Sequence, residues 1–102
     1  MKSAQYYDIP EISRRVAPIA RQYGVAKVSL FGSYAVGTPT TNSDLDFRII
    51  DRGALRGLIQ LAGFQLALED TFGTSVDLLT DDALSEEFKA RIASYEVIVY
   101  EQ

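Results

Sequence analysis

The sequence predicts an α/β fold, a small mixed and twisted β-sheet with helices packed on it. Three observations carry this. Short β-rich apolar runs, at 25–31, 44–50 and 75–79, alternate with longer stretches of helical periodicity. Turn chemistry separates them: Gly24, Asp51-Arg52-Gly53 and Gly73 punctuate the chain. The composition, 47% apolar and 24% charged, is that of an ordinary soluble globular protein.

The elements follow in order. Residues 1 to 7 show no periodicity and are expected to be loosely held. Asp8 with Pro10 reads as a helix start, because proline suits the first turn. Ile9, Ile12, Val16, Ile19, Ala20 and Tyr23 fall on one helical face, Gly24 suits the position just past the end, and Pro18 should kink the helix. Val25 to Phe31 is the first strand, Gly32 to Val36 a turn opening a short helix, and Gly37 to Ser43 a loop. Asp44 to Ile50 is the second strand, antiparallel to the first. Ala54 to Asp70 is a long helix closed near Gly73, and Ser75 to Leu79 a third strand. Thr80, Asp81 and Asp82 offer caps for a helix running through about Ala93, and Glu96 to Tyr100 adds a last short strand.

At 102 residues the chain is expected to be one domain, 1–102, with a single core. No apolar run approaches bilayer-spanning length and no charged-then-apolar signal opens the chain, so a cytoplasmic location and no membrane partner are expected. Cysteine and histidine are both absent, which removes disulfides, thiolate sites, imidazole catalysis and His-ligated zinc. Any catalytic proton acceptor must be a carboxylate or water. The net charge is −4: residues 1–42 carry five basic and two acidic side chains, residues 43–102 five and twelve. Long nucleic acids need a broad basic surface, and no extended surface of that kind is offered.

The chemistry concentrates between Phe31 and Phe47. Gly32-Ser33 is followed, after ten residues, by Asp44-Leu45-Asp46, with an apolar run on either side. On a strand, residues two apart share a face, so Asp44 and Asp46 face one way and Leu45, Phe47 and Ile49 the other. Neighbouring carboxylates raise each other's pKa unless a cation neutralises them, and hard divalent ions with oxygen ligands, Mg²⁺ above all, suit that role. Gly32 ends a strand in a turn that needs no Cβ, and the short helix opened by Ser33 and Tyr34 presents amides suited to phosphate. A phosphate cradle beside a two-carboxylate metal site is the equipment of phosphoryl or nucleotidyl transfer.

The string L-F-G-S-Y-A-x-G-x(5)-S-D-L-D resembles the signature of the nucleotidyltransferase superfamily that includes DNA polymerase beta. It is most similar to the minimal nucleotidyltransferases (MNT), stand-alone domains often paired with a HEPN-domain protein in toxin–antitoxin systems. The resemblance is close over residues 27–50 and looser on either side. It implies a polymerase beta palm-like sheet, Mg²⁺-dependent transfer with two metal ions, and ATP as nucleotide donor. The nucleoside triphosphate would lie with its phosphates over Gly32 and Ser33, and Asp44 and Asp46 would hold metal. It also implies a third acid on a following strand, which binds metal or accepts the nucleophile's proton. Asp77 fits: it faces opposite to Val76 and Leu78, and a helical crossover of this length brings its strand near Asp44 and Asp46. Arg48 shares the aspartate face by alternation, there to contact phosphate or to pair with an acidic neighbour. The resemblance breaks at Val36, where family members usually carry an arginine that can grip phosphate by two prongs.

The implied function is transfer of AMP onto a hydroxyl, a tyrosine of a HEPN-type RNase toxin, with this chain as the antitoxin. Val36 motivates one alternative, an idle antitoxin that acts by contact. The other is a nucleotidyltransferase acting on a small molecule or an RNA end. A partner surface is sought on the long helix. Leu55, Leu58, Ile59, Ala62 and Leu66 form one stripe, while Leu61, Phe64 and Leu68 cluster nearly opposite. Either the C-terminal segment Val97 to Tyr100 covers the second stripe, or Leu61, Phe64 and Leu68 dock a partner or a second copy of this chain.

Overall fold

The structure, a computed structural model, describes residues 7–37, 44–53 and 55–102. The expected loop at 38–43 and the first six residues lie outside these.

Helix α1 spans Ile9–Tyr23. The Asp8 side chain accepts a hydrogen bond from the Glu11 amide at 2.9 Å, a capping contact, and Gly24 closes the helix at φ 71°. The helix runs on through Pro18, whose missing N–H costs it one backbone bond. Its buried stripe is Ile12, Val16 and Ala20. Strand β1 is Lys27–Phe31, shorter than expected at its start, because the Val25 amide still donates to Ala20 O at the helix end (2.9 Å). The short helix α2, Ser33–Val36, follows Gly32. Strand β2, Leu45–Ile50, alternates as its sequence requires: Leu45, Phe47 and Ile49 are buried while Asp46, Arg48 and Ile50 are half-buried. Helix α3, Gly57–Phe72, ends at Gly73 and leads to β3, Val76–Thr80. A final helix α4, Glu86–Ala93, precedes β4, Val97–Glu101.

The expected helix from Thr80 to Ala93 is divided. Asp81–Ala83 form one 3₁₀ turn, Leu84 is extended, and Ser85 starts α4 by accepting from the Phe88 amide at 3.1 Å. Asp81 does not cap, because Arg48 and Lys89 engage its carboxylate.

The sheet order is β3-β2-β1-β4. Strands β2 and β4 run antiparallel to β1, and β3 runs parallel to β2 as the α3 crossover demands. One sheet face, bearing Val28, Leu30, Leu45, Phe47, Ile49 and Val76, packs into a core with α1 and α3. The opposite face carries the aspartates and is partly covered by α4, whose Phe88 ring meets Phe31 edge-on at 5.9 Å.

This packing corrects the expected partner surface. Phe64 and Leu68 are fully buried and Leu61 packs against the core, so Leu61, Phe64 and Leu68 form no exposed docking patch. Helix α1, rather than the C-terminal segment, covers that stripe: the Tyr23 and Phe64 rings lie 5.4 Å apart. The stripe left outside is the other one, with Leu58 83%, Ile59 86% and Leu66 64% exposed. Phe64→Ala should therefore cost about 3–5 kcal/mol in chemical denaturation, whereas Ile59→Ala should change stability by no more than about 0.5 kcal/mol. Equal costs at the two positions would contradict the assignment of inner and outer faces.

Candidate active site

The site forms where β1, β2 and β3 lie side by side. Strand register sets Phe31 opposite Asp46 and Asp46 opposite Asp77. The turn after Phe31 then brings Gly32 against the Asp46 side chain. A Cβ on Gly32 would stand 2.2 Å from Asp46 Oδ2, and its φ of +77° is a left-handed value. Both facts exclude a side chain: the first by collision, the second by a backbone cost of about 1–3 kcal/mol for other residues. Backbone and carboxylate thus share one small volume, with Ser33 next along the chain. The carbonyl of Gly32 accepts from the Ala35 and Val36 amides at 3.1 and 3.2 Å, which curls α2 away from the strand.

Asp46 and Asp77 face the same side of adjacent parallel strands, paired directly across the β2–β3 register. Burial first, then the hydrogen bond that a protonated Asp46 gains with Asp77, and the charges of Asp77 and Asp44 push the Asp46 carboxyl up from 3.8 to about 6. Asp46 and Asp77, picked out in sequence, are therefore paired across the register, and Asp44 lies near enough for its charge to act on Asp46. Asp44 and Asp77 are exposed, and Asp46 lies deeper against the Gly32 turn. Their donors are all oxygen, and the mutual repulsion is of the kind a hard divalent cation relieves. Among the described residues no three acidic side chains already stand in metal-binding geometry.

Arg48 makes the second of its two expected contacts, with acidic neighbours. Its guanidinium donates to Asp81 Oδ1 from Nε at 2.8 Å and to Glu96 Oε1 from Nη1 at 2.9 Å. Lys89 of α4 reaches Asp81 Oδ2 at 3.3 Å. Burial alone would raise the Asp81 carboxyl, but the hydrogen bonds from Arg48 and Lys89 and their charges hold it below its ordinary value. Alternation had placed Arg48 on this face, but nothing local pointed to Asp81 or Glu96, 33 and 48 residues away. Val36 is 51% exposed, so it is no core residue. A cleft of about 200 Å³, lined by Ile49, Ile50, Asp51, Thr80, Asp81 and Asp82, lies at the other ends of β2 and β3 and belongs to no part of this site.

Comparison with known proteins identifies the family and the fold. Residues 14–102 match the model of the polymerase beta nucleotidyltransferase family. The chain belongs to that family. A Methanocaldococcus jannaschii protein, provisionally named a protein adenylyltransferase, is 35% identical over 92 residues, which are 90% of this chain and 98% of that protein. A solved structure provisionally described as a minimal nucleotidyltransferase has TM-score 0.74 and 28% identity, over 91% of this chain and 97% of that one. The same fold recurs in a toxin–antitoxin complex solved with AMP-PNP (TM-score 0.75, 20% identity, 88% of this chain and 73% of that one). It recurs again in the complex of a tri-AMPylated Shewanella oneidensis HEPN toxin with its MNT antitoxin (TM-score 0.68, 15% identity, 89% and 71%). The nucleotidyltransferase fold expected from the Gly-Ser and Asp-Leu-Asp string is the fold of this chain. Among the described residues no helix is long and apolar enough to cross a membrane.

The raised Asp46 carboxyl has a consequence for the metal-free protein. A folded pKa of about 6 against 3.8 means that the neutral acid is favoured on folding. The penalty is absent below pH 3.8, grows between the two values, and is complete above about 6. Asp46→Asn should therefore raise Tm at pH 7.5 in the presence of a chelator and leave it unchanged near pH 3.5. A Tm difference independent of pH would mean that neither burial nor the neighbouring carboxyls raise the Asp46 carboxyl.

Proposed function

We propose that this nucleotidyltransferase moves AMP from ATP onto a hydroxyl of a partner protein, a tyrosine of a HEPN-type toxin, and so acts as an antitoxin. The observation that carries this is the seating of the Asp46 carboxylate against the bare backbone of Gly32, beside Asp77. A phosphate approaching the Gly32-Ser33 turn meets the carboxylates at the same point. The protein acceptor is supported by the M. jannaschii relative's name, and the HEPN partner by the AMPylated complex in which this fold occurs. A cytoplasmic setting, where ATP is available, accompanies this reading.

Asp44, Asp46 and Asp77 would hold Mg²⁺, with phosphate oxygens of the nucleotide completing its oxygen shell. The ion would supply charge neutralisation at the phosphates and at the leaving pyrophosphate. The chain's own residues do the rest. Gly32 leaves room for the Asp46 carboxylate to seat against the turn, and the Ser33 hydroxyl donates to a phosphate oxygen. Asp77, on the open edge of the sheet, orients the acceptor hydroxyl and takes its proton. The acceptor oxygen attacks the α-phosphorus in line, the bond to the bridging oxygen breaks, and pyrophosphate departs. Incubation with α-labelled ATP, Mg²⁺ and the partner should label the partner, and Asp44→Asn or Asp46→Asn should remove the label while leaving the fold intact. Full labelling by either variant would overturn the mechanism.

Val36 favours a second reading, an antitoxin that blocks its partner by contact with an idle site. Because Val36 is half-exposed, an arginine there meets no packing obstacle. Calorimetric titration with ATP and Mg²⁺ separates the two: an idle module binds neither. In the active reading Val36→Arg should tighten triphosphate binding several-fold at unchanged Tm, about 1 kcal/mol or more for an added charged hydrogen bond.

A further inference from the structure

Among the described residues strand β3 is an edge strand, with β2 as its one neighbouring strand. It also bears Asp77, directly opposite Asp46. Like charges opposite each other on neighbouring strands push the strands apart, and an edge strand has no second neighbour to resist. Two side-chain pins offset this. At the start of β3, helix α3 grips Val76: Gln65 Nε2 donates to Val76 O at 2.7 Å, and the Val76 amide donates to Glu69 Oε2 at 3.0 Å. Just past its end, Arg48 of β2 grips Asp81 with two guanidinium nitrogens on Oδ1, at 2.8 Å from Nε and 2.7 Å from Nη2. Asp77 lies between the pins. Arg48 sits two residues along β2 from Asp46, on the same face and opposite Leu79 of β3, so its tie to Asp81 joins β2 to the turn that immediately follows β3. The guanidinium is anchored in turn by Glu96, at 2.9 and 3.2 Å from Nη1, and Lys89 holds the other oxygen of Asp81.

We propose that Arg48 is a positioning residue of the nucleotidyl-transfer site: by holding Asp81 it fixes β3 against β2 and sets the spacing of Asp77 from Asp46. This rests on the reading of those aspartates as cation ligands. Its guanidinium is occupied by two carboxylates and takes no part in gripping phosphate. The two arms differ in function. The Asp81 arm acts on the strand that carries Asp77. The Glu96 arm runs to the segment before β4, on the far side of β1, and holds the guanidinium in place.

Coulomb attraction and positioning predict opposite signs, which makes the test decisive. Arg48→Met removes a positive charge near Asp46, so charge alone would tighten cation binding. Loss of positioning weakens it, and supporting residues behind metal ligands typically contribute 10-fold or more to affinity. The experiment is Mn²⁺ binding by electron paramagnetic resonance and calorimetry, with and without ATP, on wild type, Arg48→Met, Arg48→Lys, Asp81→Asn and Glu96→Gln. Mn²⁺ affinity should fall roughly 10-fold in Arg48→Met, and less in Arg48→Lys, which keeps the charge and one contact. Glu96→Gln should lower Tm and shift Mn²⁺ affinity less than Asp81→Asn does. If Arg48→Met does not fold, the Arg48→Lys and Asp81→Asn pair decides alone. Unchanged or tighter Mn²⁺ binding in the folded variants of Arg48 overturns the inference and leaves the nucleotidyl-transfer reading standing. Absence of Mn²⁺ and ATP binding in the wild type overturns both.

Discussion

Two carboxylates held side by side on adjacent parallel strands dominate this structure. Asp46 and Asp77 stand opposite each other in the β2–β3 register, close enough for Asp77 to raise the Asp46 carboxyl, and Asp44 adds a third negative charge. Folding concentrates charge there against its own electrostatic preference, and the surrounding structure answers that cost. Apolar residues on the reverse of the same strands, Leu45, Phe47 and Val76, are buried against α1 and α3 and hold the strands in place from behind. A carboxylate cluster that costs stability in the free protein carries the kind of repulsion that a hard divalent cation relieves.

The Gly32 turn completes that logic. Its backbone is packed so tightly against Asp46 that no side chain fits, and its φ of +77° is one glycine adopts freely. The turn and the carboxylates are therefore a single unit, and displacing one displaces the other. The 11 residues between Gly32 and Asp44 in the chain matter less than the strand register that sets Phe31 opposite Asp46.

On the same face, the ion-pair group of Arg48, Asp81, Glu96 and Lys89 joins β2, the 3₁₀ turn, α4 and the approach to β4. Its two positive and two negative charges balance, and Arg48 and Glu96 are largely shielded, at 18% and 16% side-chain exposure. Shielding makes such pairs more dependent on geometry than surface pairs are, because a partner lost there leaves a charge in poorly solvated surroundings. Helix α4, with few apolar contacts beyond Phe88 and Ile92, is held on the sheet in part by this group.

Periodicity and spacing within the sequence determined most of the elements and the alternation along β2 that puts Asp46 on the face opposite Leu45 and Phe47, because these depend on residues near one another in the chain. Asp77 was legible one step further out, since a helical crossover returns its strand to the same sheet. Tertiary structure alone decided three things. It chose which stripe of α3 is buried, because Phe64 and Leu58 are equally apolar and only α1 distinguishes their faces. It divided the expected helix at Leu84, because the Asp81 carboxylate is held by Arg48 and Lys89 and does not cap. And it assigned Arg48 to Asp81 and Glu96 rather than to phosphate, because long-range ion pairs form between groups that only the folded sheet brings within reach.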